Sequence, residues 1–328
     1  MHILRSQQFN RELLQEMFNR AETFDQLRRT DSGRHQIRRF AGKVAVNLFY
    51  TESLRTHMSF KFAERHLGME IDGSEDAGQF SSLYPEYRNR GESLEDTTMV
   101  INSYFTEADG GCIVLRHPEE GAAERAAKIS RIPIINAGDG KGQHPTQSLI
   151  DVGMINRTFG TVDGLVIIIG GDLAYGRTAR SLAYLLSKFK GVRILFISPP
   201  ELKMKNDVLE HLCEHDVAFA EHDTLEDVIA DADVVYWTRA QKEKADEGVH
   251  YKDISNRFCI DATMMRHMKE DALLLHPLPR NEEIHPEVDS DPRAGYFRQT
   301  EYSIPMRMAL LELAMGGNLR AQSLAYAA

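Results

Sequence analysis

Ser53, Leu54, Arg55 and Thr56 stand where an apolar run carrying Val44, Val46, Leu48, Phe49 and Tyr50 gives way to a helical segment that Gly68 closes. A helix N-terminus offers unbonded backbone N–H groups and the positive end of the helix dipole, a setting that suits an anion. The Ser53 and Thr56 hydroxyls and the Arg55 guanidinium would add donors converging on one phosphate-sized group. Taken alone, the same four residues serve equally well as a plain helix cap.

Further clusters repeat the pattern of polar residues after an apolar strand. Arg116-His117-Pro118 follows GCIVL, and His144-Pro145-Thr146-Gln147 follows IPIINAGDGKGQ with proline in the first helical turn. With Thr56, Arg116 and His144 could surround a carbonyl oxygen and stabilise charge developing on it. His144 by itself also reads as an ordinary capping or core histidine. The segment Gly171 to Thr178 has P-loop-like spacing, but Arg177 replaces the lysine and the glycines miss the dinucleotide pattern. Arg177 suits a carboxylate clamp better than a nucleotide site, or else a surface position on its helix. Arg239 and Gln241 end the strand VVYWT and could read a second carboxylate, or simply open a solvated loop. In His276-Pro277-Leu278-Pro279-Arg280 the prolines fix an irregular backbone whose carbonyls could face an amine; rigidity alone would also explain them. His211, Cys213 and His215 share one charged helix and read as a solvated face, so no metal site is expected. No Ser-His-Asp set or activated cysteine stands out.

The elements that must position these residues alternate between strand and helix. A helix is expected over 9–23, with Phe9, Leu13, Leu14, Met17 and Phe18 on one face. After the strand and helix around Ser53 come a short strand near 69–72, a polar loop to about 90, and a helix over 92–106 capped by Ser93. GCIVLRH and IPIINAG read as strands flanking a helix, and a further helix over 144–160 ends at Gly160. A second series begins with a strand at 165–171 and a helix over 176–189. It continues through RILFIS, a helix over 201–214, VAFAEH, a helix over 224–231, VVYWTR, FCIDA and LLLHPLP. A last helix, about 304–315, carries Ile304, Met308, Leu311 and Met315 on one face. Such alternation predicts α/β architecture with two similar parallel-sheet domains and an active-site cleft beyond their strand ends. The expected boundaries are 1–150 for the first domain and 151–302 for the second.

Bulk composition sets the remaining bounds. A chain of 328 residues, 42% hydrophobic and 27% charged, has the composition of a soluble globular protein with room for two cores. Its formal charge of −10 argues against nucleic acid or an anionic membrane as principal partner. Cys112, Cys213 and Cys259 are odd in number and far apart, which fits a reducing compartment. With no apolar run near the roughly 20 residues of a membrane span and no signal-like N-terminus, a cytoplasmic protein is expected.

In order, the segments SLRT, GESLEDT, RHPEEGAA, NAGDG..QHPTQ, GDLAYGRT, TRAQKE and HPLPR resemble the aspartate/ornithine carbamoyltransferase family across essentially the whole chain. HPLPR, with proline where ornithine enzymes typically carry cysteine, and the pair Arg239 and Gln241 favour the aspartate branch. The resemblance implies transfer of the carbamoyl group of carbamoyl phosphate to the α-amine of L-aspartate, in pyrimidine synthesis, with no metal or organic cofactor. It implies that Ser53, Leu54, Arg55, Thr56 and Arg116 hold the donor, that Thr56, Arg116 and His144 polarise its oxygen, and that Gln147 contacts its amide. It further implies that Arg177, Arg239 and Gln241 grip the aspartate carboxylates, with the Pro277 and Leu278 backbone facing the reacting groups. A homotrimer with shared sites is implied too, each site borrowing a serine and a lysine from the neighbour's loop. Ser82 is the matching serine here, and Arg90 stands where the lysine is expected. The resemblance also returns the C-terminal stretch, about 303–328, to the first domain. Thr51, Leu54 and His57 replace the family's usual glutamate, threonine and arginine. These departures leave room for a paralogue with another acceptor or a modified donor, or a silent homologue within a larger assembly. A regulatory or other partner subunit also stays open.

Overall fold

The computed structural model describes residues 1–84, 91–106, 109–240 and 259–316. Val44–Phe49 (β1) is apolar at most positions and is buried because it lies inside a parallel sheet. Its neighbours are Glu70–Ser74 (β2) and Gly111–His117 (β3), and Ile134–Asp139 (β4) completes the order β2-β1-β3-β4. Around this sheet stand Arg11–Leu27 (α1), Asp31–Gln36 (α2), Leu54–Leu67 (α3), Leu94–Tyr104 (α4) and Ala122–Ile129 (α5). Local chemistry explains their ends. Asn10 caps α1 by accepting from the Leu13 N–H, Ser93 caps α4 by accepting from Asp96, and Gly68 ends α3 in the left-handed conformation at φ 82°.

A second parallel sheet has the order β7-β6-β5-β8-β9. Its strands are Val166–Gly170 (β5), Arg193–Ile197 (β6), Ala218–His222 (β7), Val234–Trp237 (β8) and Leu273–Leu275 (β9). The remaining helices are Pro145–Phe159 (α6), Arg177–Leu186 (α7), Asn206–Glu214 (α8), Ala262–His267 (α9) and Tyr296–Ala314 (α10). Its core gathers Ile168, Val235, Trp237, Leu274 and Tyr296, all buried. By compactness the chain divides into Met1–Thr146 with the stretch from Tyr302 onward, and Gln147–Glu301. Within the first unit, a buried two-pronged pair between Arg20 on α1 and Glu312 on α10 fastens the C-terminal helix.

The two-sheet α/β architecture is as expected, and several element limits are not. The 201–214 segment splits into a 3-10 turn, Pro200–Leu202, and α8, with the backbone extended at Lys203 and Lys205. The 224–231 stretch forms only a 3-10 turn, Ile229–Asp231. Of the expected strand FCIDA, Phe258 lies outside the described residues, and residues 259–262 contribute one bridge, Ile260 to Ile284, rather than a strand. The last helix begins at Tyr296, so Pro305 lies inside it rather than near its start. Among the described residues, no helix is long and apolar enough to cross a membrane.

Candidate active site

Strand register brings the singled-out segments together within each unit. In the first sheet Phe49 pairs with Arg116 and His117 with Asp139, so the segments after β1, β3 and β4 leave from adjacent strand ends. Ser53 is the N-cap residue of α3, yet its side chain makes no capping hydrogen bond. The cap reading therefore loses ground, and the hydroxyl is not consumed by its own helix. Leu54 is 76% exposed beside it, and Thr56 is buried. The Thr56 carbonyl accepts from Arg307 Nη1 at 3.3 Å, while Arg307 lies over the Phe60 ring at 4.5 Å. Burial lowers the Arg307 guanidinium to about 9 and raises the nearby Glu64 carboxyl to about 7.

Arg116 is half-buried and held from two sides: Nε donates to Thr51 Oγ1 at 3.2 Å and Nη1 to the Ala137 carbonyl at 3.2 Å. The threonine at 51, a departure from the family motif, thus anchors the strand-end arginine. His117 is buried, and desolvation lowers it to about 4, so it is neutral at physiological pH. Its Nδ1 accepts from the Glu119 N–H at 3.1 Å. His144 is buried just before Pro145 opens α6, with Nδ1 3.2 Å from Thr146 Oγ1. The loop that delivers it is braced by Asp139, whose carboxylate accepts from the N–H groups of Gln143 and Gly121, both at 2.8 Å. Ser82 donates to the Glu92 carbonyl of its own chain at 3.2 Å. Arg90 lies outside the described residues.

In the second sheet Gly170 pairs with Trp237 and Tyr236 with Leu275, aligning the segments after β5, β8 and β9. Gly171 turns the chain at φ 102°, and a Cβ there would come within 2.1 Å of the Thr238 carbonyl oxygen, so glycine is required. Arg177 then opens α7, and half-buried Arg239 follows Thr238. Gln241 lies outside the described residues. Pro277 and Leu278 belong to a turn locked by His276. Its Nδ1 accepts from the Leu278 N–H at 2.8 Å, which leaves the proton on Nε2 to donate to Glu283 at 2.9 Å. Burial works against the Glu283 charge, but these hydrogen bonds outweigh it and hold the carboxyl below its ordinary value. Arg280 is taken up by Asp289 and the Tyr296 hydroxyl, so it braces the turn.

Sequence reasoning missed one group here. Gln147 Nε2 donates to Asp151 Oδ1 at 2.8 Å, which orients its carbonyl oxygen as an acceptor. Asp151 is fully buried, also accepts from Gln299 Nε2, and is pushed up to about 7 by burial. The Tyr236 hydroxyl interacts with this carboxyl, although neither it nor Oδ2 makes a hydrogen bond of ordinary geometry. The available signal was Asp151 standing one helical turn after Gln147.

Each parallel sheet thus aligns cationic and hydroxyl-bearing segments at adjacent carboxyl ends, the mark of an α/β enzyme acting on small anionic substrates. Residues 1–157 match the family model "Aspartate/ornithine carbamoyltransferase, carbamoyl-P binding domain", and residues 163–314 match "Aspartate/ornithine carbamoyltransferase, Asp/Orn binding domain". The chain belongs to the aspartate/ornithine carbamoyltransferase family. It is 44% identical over 316 residues to aspartate carbamoyltransferase 3, chloroplastic, of Pisum sativum, covering 96% of this chain and 78% of that one. It is 39% identical to the aspartate carbamoyltransferase catalytic subunit of Methanocaldococcus jannaschii, covering 97% and 98%. Among solved structures, the M. jannaschii catalytic subunit superposes with a TM-score of 0.84 at 39% identity, covering 96% and 98% of the two chains. Aspartate transcarbamoylase of Trypanosoma cruzi, in complex with carbamoyl phosphate and aspartate, does so at 0.83 and 34%, covering 94% and 95%.

Proposed function

We propose that this chain transfers the carbamoyl group of carbamoyl phosphate to the α-amine of L-aspartate, giving N-carbamoyl-L-aspartate and phosphate for pyrimidine synthesis. The observation that carries the reading is the first strand-end set: the N-terminus of α3 with the Ser53 hydroxyl unspent on capping, and Arg116 fixed one strand away. Ser53, Arg55, Thr56 and the N–H of Leu54 hold the donor phosphate, with Arg116 assisting. Thr56, Arg116 and His144 draw electron density onto the carbamoyl oxygen, and the Gln147 carbonyl accepts from the carbamoyl NH₂. Arg177, Arg239 and Gln241 hold the aspartate carboxylates, and the Pro277 and Leu278 backbone faces the amine.

The amine nitrogen attacks the carbonyl carbon, the bond from that carbon to the phosphate oxygen breaks, and phosphate leaves with the electron pair. The departing phosphate accepts the amine proton, so no strong protein base is called for. The chemistry rests on positioning and fixed charge and asks for no metal or organic cofactor. Ser82 and Arg90 complete a neighbouring subunit's site in a cytoplasmic homotrimer, and a regulatory subunit is a further partner. The plant relatives bear chloroplastic names, and some relatives are named catalytic subunits.

Incubating pure protein with carbamoyl phosphate and a panel of amino acids, then measuring carbamoylated product and phosphate, tests the reading. Aspartate-dependent product is expected. Product with another amine would make it a paralogous transferase, and none at saturating substrate would make it a silent homologue.

A further inference from the structure

The last turn of α8 carries His211, Glu214 and His215, and one donor atom from each lies within 4.8 Å of the others. Among the described residues this is the one group of three or more His, Cys, Asp or Glu side chains so arranged. None of the three is among the residues assigned to carbamoyl transfer. Two hydrogen bonds fix the imidazole tautomers. Ser187, at the end of α7, spends its hydroxyl proton on the Tyr184 carbonyl at 2.8 Å. Its oxygen can therefore only accept from His211 Nε2, 3.1 Å away, which leaves Nδ1 of His211 with its lone pair. His215 Nδ1 lies 2.8 Å from the His211 carbonyl oxygen, so it carries the proton and Nε2 keeps the lone pair. A hydrogen bond that holds the N–H of a ligating imidazole is the usual support of a protein metal ligand.

The rings lie 4.0 Å apart, tilted by 32°, which sets the two imidazoles on one side of the helix end. The Tyr184 ring packs edge-on against His211 at 4.8 Å and limits its swing. Glu214 and His215 are exposed, so a cation could reach them and keep water in its remaining positions. Cys213, between His211 and Glu214 in sequence, is exposed as well but lies outside the group.

We propose that His211, Glu214 and His215 form a site for one first-row transition-metal dication of the zinc class, binding through two imidazole nitrogens and a carboxylate. Two nitrogens and one carboxylate suit zinc, cobalt or nickel rather than magnesium or calcium, which prefer all-oxygen sites. Because His211 is tied to Ser187, an ion there would pin the end of α8 to the end of α7 and raise thermal stability by binding the native form.

Titration of the full chain with zinc against a chromophoric chelator, and with cobalt followed by visible absorption, tests this. One equivalent per chain is expected, with a tetrahedral or five-coordinate cobalt spectrum and a rise in melting temperature on adding zinc. His215→Ala should weaken binding at least tenfold and abolish the thermal shift, and Cys213→Ser should leave both intact. Circular dichroism checks that the variants fold. Binding of equal strength and stoichiometry in the His211→Ala/His215→Ala double variant would overturn the proposal, as would a sulfur-to-cobalt charge-transfer band or no binding by the wild type.

Discussion

Replacing Asp151 with asparagine tests how the buried carboxyl under Gln147 is charged. Asparagine keeps an oxygen to accept from Gln147 and Gln299 and presents an NH₂ group in place of Oδ2, which has no hydrogen bond of ordinary geometry. The wild-type carboxyl, ordinarily near 3.8, is pushed up to about 7 by burial. The folded protein holds this proton more tightly than the unfolded chain. The group's contribution to stability is therefore fully present below pH 3.8 and is lost as pH rises through about 7. At about 1.36 kcal/mol per unit, the loss is roughly 2 kcal/mol by about pH 5.5 and roughly 4 kcal/mol at about pH 8. Asparagine carries no such loss, so the stability difference between variant and wild type should move by roughly 2 kcal/mol in the variant's favour between those two pH values. Urea unfolding at both pH values measures it, and any fixed packing cost of the substitution cancels. A stability difference that does not change with pH would refute the argument from burial.

Other outcomes concern the strand-end residues. His144→Ala should cut kcat by an amount equivalent to roughly 2.7–4 kcal/mol of barrier while sparing the fold, as read from kinetics and circular dichroism. Arg239→Ala should raise the aspartate concentration needed for half-maximal rate and leave carbamoyl phosphate dependence nearly unchanged; an unaltered aspartate curve would remove Arg239 from acceptor binding. Leu54→Thr adds a hydroxyl at an exposed first-turn position and should tighten carbamoyl phosphate by about 0.5–1.5 kcal/mol, measured as KM.

Much of the fold was legible because buried parallel strands are apolar nearly throughout. Gly111–His117 matches the strand read from GCIVLRH, and the strands at β1, β5 and β6 fall within a residue or two of expectation. Helix limits were less legible where the sequence is mixed. The 224–231 stretch has helical spacing but closes as a single 3-10 turn, and the six-residue helices α2 and α9 are too short to show a period. Among the candidate site residues, those at the ends of apolar strands stand out in the sequence by type and position. The hidden part is what holds them in place. Thr51 supporting Arg116, and Asp151 supporting Gln147, depend on strand register and on burial, neither of which the linear pattern displays.

One run of hydrogen bonds bears on how far this enzyme's specificity can be altered piecemeal. Gln147 donates to Asp151, Gln299 donates to Asp151 from the other side and accepts from the His276 N–H, and His276 accepts from the Leu278 N–H. Every link lies in one compact unit, so the residue proposed to read the donor's amide and the turn proposed to face the acceptor share a single scaffold. Substitutions at the two ends should fail to add: a double-mutant cycle between Gln147 and Pro277 is expected to show a coupling energy of about 0.5 kcal/mol or more without direct contact. Changing the acceptor by rebuilding the HPLPR turn would then also disturb donor recognition. Natural variants that alter one end should carry compensating changes at Asp151 or Gln299.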